Sequence, residues 1–437
     1  MRTPIPPNSE SPAIRGPDRD FRWLTLLIVA AWWLAVFGAA AGPARVQRMK
    51  SLGVFALSSS FADLRIFPYA QSVVASGGDP YNSDARDSIG RPYNYPRIWL
   101  MFMRFSNRDA AVNSVGVSLA VVSLAVLLAF WGPCRSPLRA AALGGLLCLP
   151  AVQLGVERGN TDQLIVALVA AACLLAARKA VAGYILLCAA VLKLYPCLAF
   201  GALAEHSPRG RMRAIGWPLL LFLLYLAVTA ADTKAVLRNT PDTMWMFSYG
   251  ACVVPSAWAS ICGRNGWGSP NPEFLRMGAR LLAALLIALG IVLGLGGRSR
   301  RERDCAGATP QTPARFRIPW EGLGLAGEWP HVLGLSAAAW IFAGTFVAGS
   351  NFDYRLDFLL LAVPQLLVWV GLPSRQIYLL AMLALMALVL SLGSNFLWAG
   401  WAGFWVKQAA SWTLVLVLPW LLAAVRSQAV NSKSTTS

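Results

Sequence analysis

Residues 180–204 read AVAGYILLCAAVLKLYPCLAFGALA, with Arg178 and Lys179 before them and Arg209, Arg211 and Arg213 after them. This run of 25 residues carries one charge. It is too apolar for water and suits a bilayer, where a helix satisfies its own backbone. Lys193-Leu194-Tyr195-Pro196 interrupts it, and proline breaks a helix. Both basic flanks belong on the cytoplasmic side. The run therefore reads as a re-entrant hairpin that enters, turns at residues 193–196 and returns.

Outward from this hairpin the chain alternates in the same way. Residues 1–20 read as a disordered tail and 23–42 as an uncleaved first span. A long polar stretch, 43–109, follows, with short interfacial helices expected at 66–76 and 98–105. Further apolar runs are 110–131, 140–156, 163–177, 215–231, 277–296, 331–349, 358–371, 378–392 and 409–425. A second long loop covers 232–275, a short link covers 350–357, and an aromatic link leads to Lys407. Short basic loops place both tails, 1–20 and 427–437, in the cytoplasm and both long loops outside. The expectation is an all-α polytopic membrane protein of about twelve transmembrane helices. Ten are full spans and two are the arms of the hairpin, in one transmembrane domain, 21–426, of a bacterial-type plasma membrane.

Composition agrees. Of 437 residues, 57% are apolar and 13% charged, about half the usual charged share. That excludes a soluble domain, a disordered chain and a secreted disulfide scaffold. The net charge of +18 would suggest nucleic acid in a soluble protein. Here the basic residues sit mostly between apolar runs, where they orient the chain and meet lipid head groups, so no nucleic-acid partner is expected. Only six of the 38 basic residues are Lys. Phosphate recognition and a GC-rich genome both account for that bias. There are two histidines and no CxxC pair, so no metal or cofactor is expected.

Lys193 lies more than ten residues from either polar flank, roughly 15–20 Å along a helix. Snorkelling is the ordinary reading of such a lysine. At this depth a functional cation facing a cavity suits it better. Asp63 follows the apolar residues Phe55 to Leu57 and Phe61, which puts it near the membrane surface. It suits a general base and equally an interfacial cap, with Arg65 expected to keep it ionised. Asp162 is the rival acid. Asp79, Asp84 and Asp87 read as turn and surface acids. Cys252 and Cys262 are the two cysteines in the outer loops. They read either as a disulfide or as two free thiols.

The order of motifs resembles a family. Asp63 is followed by Phe67-Pro68-Tyr69, Gly78-Asp79-Pro80-Tyr81 and Tyr93-Asn94-Tyr95-Pro96. Then come Gly159-Asn160-Thr161-Asp162-Gln163-Leu164 and Leu192-Lys193-Leu194-Tyr195-Pro196. This series resembles glycosyltransferase family 87, membrane glycosyltransferases of the GT-C fold. The resemblance covers roughly residues 20–230. It implies transfer of a sugar, of mannose or arabinofuranose type, from a polyprenyl phosphate to a lipid or glycan acceptor on the outer face, with inversion. Asp63 takes the position of the base. Lys193, Arg355 and Arg97 are the implied phosphate cations. Tyr69, Tyr81, Tyr95 and Asn160 are implied in substrate binding, with Asp162, Gln163, Tyr195 and Tyr354. The chain departs from the family at Tyr95-Pro96-Arg97, where members often have Tyr-Pro-Pro. It also departs at Asn351–Asp357, which lacks a histidine.

Two other classes compete. A transporter of lipid-linked or sugar substrates also uses intramembrane cations and broken helices, usually at matching points of two halves. The second half shows no break matching Lys193. A scaffold gives no reason for Lys193.

Overall fold

The computed structural model describes residues 19–38, 42–82, 87, 90–205, 211–240, 245–268, 271–306, 328–371, 375–397 and 400–434. Asp84, Arg209 and most of the first tail lie outside these residues. The chain is a helical membrane protein; among the described residues one two-residue ribbon departs from this, in which Ser248 pairs with Phe352 and Tyr249 with Asn351. Among the described residues five helices are long and apolar enough to cross a membrane: Asp109–Trp131, Pro272–Leu295, Pro330–Ala348, Arg375–Phe396 and Gly400–Ala424. Two bent pairs bring the number to seven if each is one span. Their surfaces carry the apolar side chains that lipid requires. Leu281, Leu285 and Val292 are exposed on one helix, and Leu220, Leu223 and Leu224 on another.

The expected runs break where the local chemistry demands it. Residues 140–156 are not one straight helix. Pro137–Leu147 and Pro150–Arg158 meet at 55°, because Pro150 has no N–H to continue the first helix. Residues 215–231 continue into Ala230–Asn239 after an 80° bend. Residues 358–371 hold a 3-10 helix, Asp353–Leu361, and then only eight α-helical residues, Val363–Val370. The 180–204 run breaks where expected. Lys179–Leu192 ends at Lys193 in extended backbone, and a 3-10 helix, Tyr195–Glu205, packs back on it and on Glu328–Ala348. The arms, 14 and 11 residues, are each too short for a ~30 Å core.

One expectation at the C-terminal end is corrected. The stretch before Lys407, expected as a link, is helical from residue 400 on, in one helix, Gly400–Ser434, that also runs past residue 426. Lys407 is thus a buried helix residue. This helix packs along Pro272–Ala306, where Gly290 and Gly294 form a GxxxG pair. A Cβ at Gly290 would stand 2.4 Å from the Leu416 carbonyl oxygen. Small residues at that spacing let two helix backbones touch.

The proposed disulfide is absent. Cys252 and Cys262 are buried free thiols. Cys252 caps the helix Val253–Arg264, and Cys262 lies near its other end. Ten residues of helix separate them by roughly 15 Å, and a disulfide needs Cα atoms within about 7 Å. Both thiols are expected to alkylate without prior reduction once the protein is denatured. A mass 2 Da lower with no label on either would contradict this.

Candidate active site

The first long loop folds over three helix ends. Phe61 adopts a left-handed conformation (φ 53°, ψ 41°), the only non-glycine with positive φ among the described residues. Its N–H donates to the Glu157 carbonyl at 2.8 Å. That turn starts a 3-10 helix, Ala62–Arg65, and points Asp63 inward, 5% exposed. Opposite it, Pro150–Arg158 ends on Gly159 (φ 60°), with Asn160 N–H returning to Gly155 and Gly159 N–H to Val156. A Cβ at Gly159 would be strained and would press on Phe61 and Leu64 at 2.9–3.0 Å. This close approach brings residues 63 and 160 together.

Asn160 is the joint of the site. Its Nδ2 donates to Asp63 Oδ2 at 2.7 Å, and its Oδ1 accepts from the Asp162 N–H at 2.9 Å and from Lys193 Nζ at 3.4 Å. Asp162 opens the helix Asp162–Leu174, where a carboxylate suits the positive helix end. Lys193 Nζ lies 2.6 Å from Asp162 Oδ1, and Arg355 Nε lies 3.5 Å from Oδ2. Arg355 is held in turn by Asn351. Lys193 sits over the Tyr95 ring at 4.9 Å and Arg355 over Tyr195 at 4.8 Å. Trp99 fastens the loop to the break through its indole N–H on the Leu192 carbonyl at 2.8 Å.

Arg65 does not serve Asp63, contrary to expectation. It pairs with Asp109. Arg91 and Arg158 take its place. Arg91 Nη1 lies 2.5 Å and Arg158 Nε 3.1 Å from Asp63 Oδ1. Asp87 is not a surface acid either. It is buried and holds Arg91 by side chain and backbone. Burial on its own would raise the pKa of Asp63. The charges of Arg158 and Arg91 and the Asn160 hydrogen bond outweigh it and hold the carboxyl below its ordinary value. Burial pushes the Tyr93 and Tyr95 phenols upward, so both stay neutral.

Because the folded pKa of Asp63 is depressed, its share of stability is present above the unfolded value of about 3.9 and lost as pH falls below it. The melting temperature of the detergent-solubilised protein is expected to drop between pH 5 and 3. Part of that drop should vanish in Asp63→Asn. Equal slopes in both proteins would contradict the assignment.

The other expected residues divide. Gln163 and Tyr354 approach the site from either side of Gly155, where a Cβ would meet Asp357 Oδ2, Gln163 Nε2 and Tyr354 Cβ at 3.0–3.5 Å. Arg97 is not brought in. It is half-exposed, paired with Asp232 and Asp79, and lies over the Tyr81 ring. Tyr81 spends its hydroxyl on the Tyr95 carbonyl. Tyr69 is half-buried on Ile66–Ala75, with no bond to the cluster among the described residues.

Sequence reading also missed two buried ion pairs. Glu157, in the gap between the apolar runs 140–156 and 163–177, pairs with Arg45 at 3.1 Å and clamps residues 45–57 beside the site. Asp353 pairs with Lys407 at 2.6 Å, and Lys407 also donates to the Met246 carbonyl. The rule that singled out Lys193, a lone charge in an apolar run, applies equally to Lys407.

Comparison of the chain with protein-family models, with curated proteins and with solved structures finds no match.

Proposed function

We propose that the chain is a membrane glycosyltransferase of the family 87 type. It moves a sugar of mannose or arabinofuranose type from a polyprenyl phosphate to a lipid or glycan acceptor on the outer face. One observation carries the reading. Asp63 and Asp162, each from a resemblance motif, meet through Asn160, and each carboxylate is faced by cations: Arg91 and Arg158 on one, Lys193 and Arg355 on the other.

In this mechanism an acceptor hydroxyl attacks the anomeric carbon. Its proton goes to Asp63, the bond from that carbon to the phosphate oxygen breaks, and the polyprenyl phosphate departs with inverted configuration left behind. The phosphate competes with the carboxylates for their cations. A guanidinium drawn to the phosphate frees an Asp63 oxygen to accept the proton, and charge-assisted bonds stabilise the leaving group. The reading carries a GT-C-like architecture of about twelve transmembrane segments with both termini cytoplasmic. The short apolar helices Arg22–Gly38, Asp162–Leu174, Lys179–Leu192 and Tyr195–Ala204, beside the longer ones, support this reading.

Membranes containing the chain are expected to move radiolabel from a synthetic polyprenyl-phosphate sugar into one glycolipid or glycan. That product should be missing from a deletion strain. No transfer from any such donor, with an unchanged glycan profile on deletion, would count against the reading.

A transporter is the second reading, and one observation favours it. The buried Asp353–Lys407 pair and the 3-10 helix Asp353–Leu361 give the second half a charged break after all. Export of an intact lipid-linked sugar without bond cleavage would decide for it.

A further inference from the structure

A hollow of about 40 Å³ lies between the first helix, Asp109–Trp131 and the helices that flank the site. Val29, Leu124, Leu127 and Val166 give it an apolar wall. Trp33, Ser123, Gln153, Gln163 and Asp357 line it too. In each of these five a buried polar atom has no hydrogen-bond partner: Trp33 Nε1, Ser123 Oγ, Gln153 Oε1, Gln163 Oε1 and Asp357 Oδ1. Ser123, Gln153, Gln163 and Asp357 are 1–6% exposed.

Native interiors leave few polar groups unpaired, because each such group keeps its full desolvation penalty. Five around one hollow, from five separate segments of the chain, point to a guest. Its chemistry follows from theirs. The indole N–H only donates, the amide oxygens only accept, and the hydroxyl can do both. An anion would face three acceptor oxygens. An alkyl chain would leave all five atoms unpaired. A hydroxyl oxygen donates and accepts at one atom and so serves every one of them. A water needs roughly 10–15 Å³ of such space, so the hollow takes about three oxygens.

We propose that this hollow is a binding site for hydroxyl groups, filled by ordered water or by the alcohol groups of a bound lipid. It adjoins the charged cluster, since Gln163 follows Asp162 and lies with Asp357 beside Gly155. The proposal stands whether or not the chain transfers sugar.

The test uses the purified full chain in lipid nanodiscs. X-ray pulses turn trapped water into hydroxyl radicals that oxidise adjacent side chains. If water fills the hollow, Leu127 and Val166 should be oxidised several-fold faster than Leu128 and Val363, which are buried to a similar degree but do not line it. If a lipid alcohol fills it, these rates match. Extraction then yields a hydroxylated lipid at about one per protein from the wild type and less from S123A/Q153M. Core-like oxidation with no such lipid overturns the proposal. So does a several-fold rate excess that S123A/Q153M leaves unchanged. If that variant fails to fold, wild-type oxidation and extraction decide alone.

Discussion

Asp63→Asn is expected to lower sugar transfer by about 10²–10⁴-fold, the usual contribution of a general base. Asparagine keeps the shape and the contact with Asn160 but cannot take the proton of the acceptor hydroxyl. The geometry adds a second effect that must be separated from the first. Asp63 faces two guanidiniums. Arg91 keeps Asp87 as a counter-charge, whereas Arg158 has Asp63 alone among the described ion pairs and already has an unpartnered Nη1. Removing the carboxylate strands Arg158, so the melting temperature should fall as well. The double variant Asp63→Asn/Arg158→Gln removes the stranded charge. It should recover most of the lost melting temperature and none of the lost rate. Recovery of both would make Asp63 a structural anchor. Wild-type transfer by Asp63→Asn beside a dead Asp162→Asn would move the base to the second carboxylate.

How far the sequence could be read depended on the range of the interaction involved. Lys193, Pro196 and the motif at residues 159–164 announce themselves by local contrast, and each lies at a break or helix end in the fold. Asp109–Trp131 was legible because an apolar run and a helix coincide there. Arg91 and Arg158 were not legible as partners of Asp63. They lie 28 and 95 residues away; the packing of Phe61 against Gly159 brings up Arg158, and Asp87 and the Ala62 carbonyl hold Arg91. Arg65 was the natural choice at two residues' distance, and the 3-10 turn sends it to Asp109 instead. The ends of the helices were hidden for a related reason. Apolar composition fixes where a segment can enter a membrane, but Pro150 and the 3-10 segments decide how far a helix continues. Glu157 and Lys407 were hidden by opposite surroundings. One lies in the polar gap between two apolar runs, the other at the end of an aromatic link.

Lys193→Met tests the other half of the site. In the resting fold Lys193 neutralises Asp162, which is 1% exposed and is left with the more distant Arg355 among its described ion pairs when the lysine goes. Breaking a buried ion pair by removing one partner costs about 3–5 kcal/mol, because the remaining charge is left without compensation. The single variant should therefore melt well below the wild type. Lys193→Met/Asp162→Asn removes both charges and should regain most of that loss, the two substitutions being strongly coupled. Catalysis should not follow stability. If Lys193 leaves Asp162 to hold the donor phosphate, the double variant folds and still lacks that cation. Its donor KM should rise about ten- to a hundred-fold, the value of one charge-assisted bond of about 1.5–3 kcal/mol. Lys193→Arg/Asp162→Asn restores a cation at the break and should bring part of the affinity back. A double variant that is stable and binds donor as the wild type does would reduce Lys193 to the counter-charge of Asp162. The phosphate would then have to be held by Arg91 and Arg158 on the Asp63 side of Asn160.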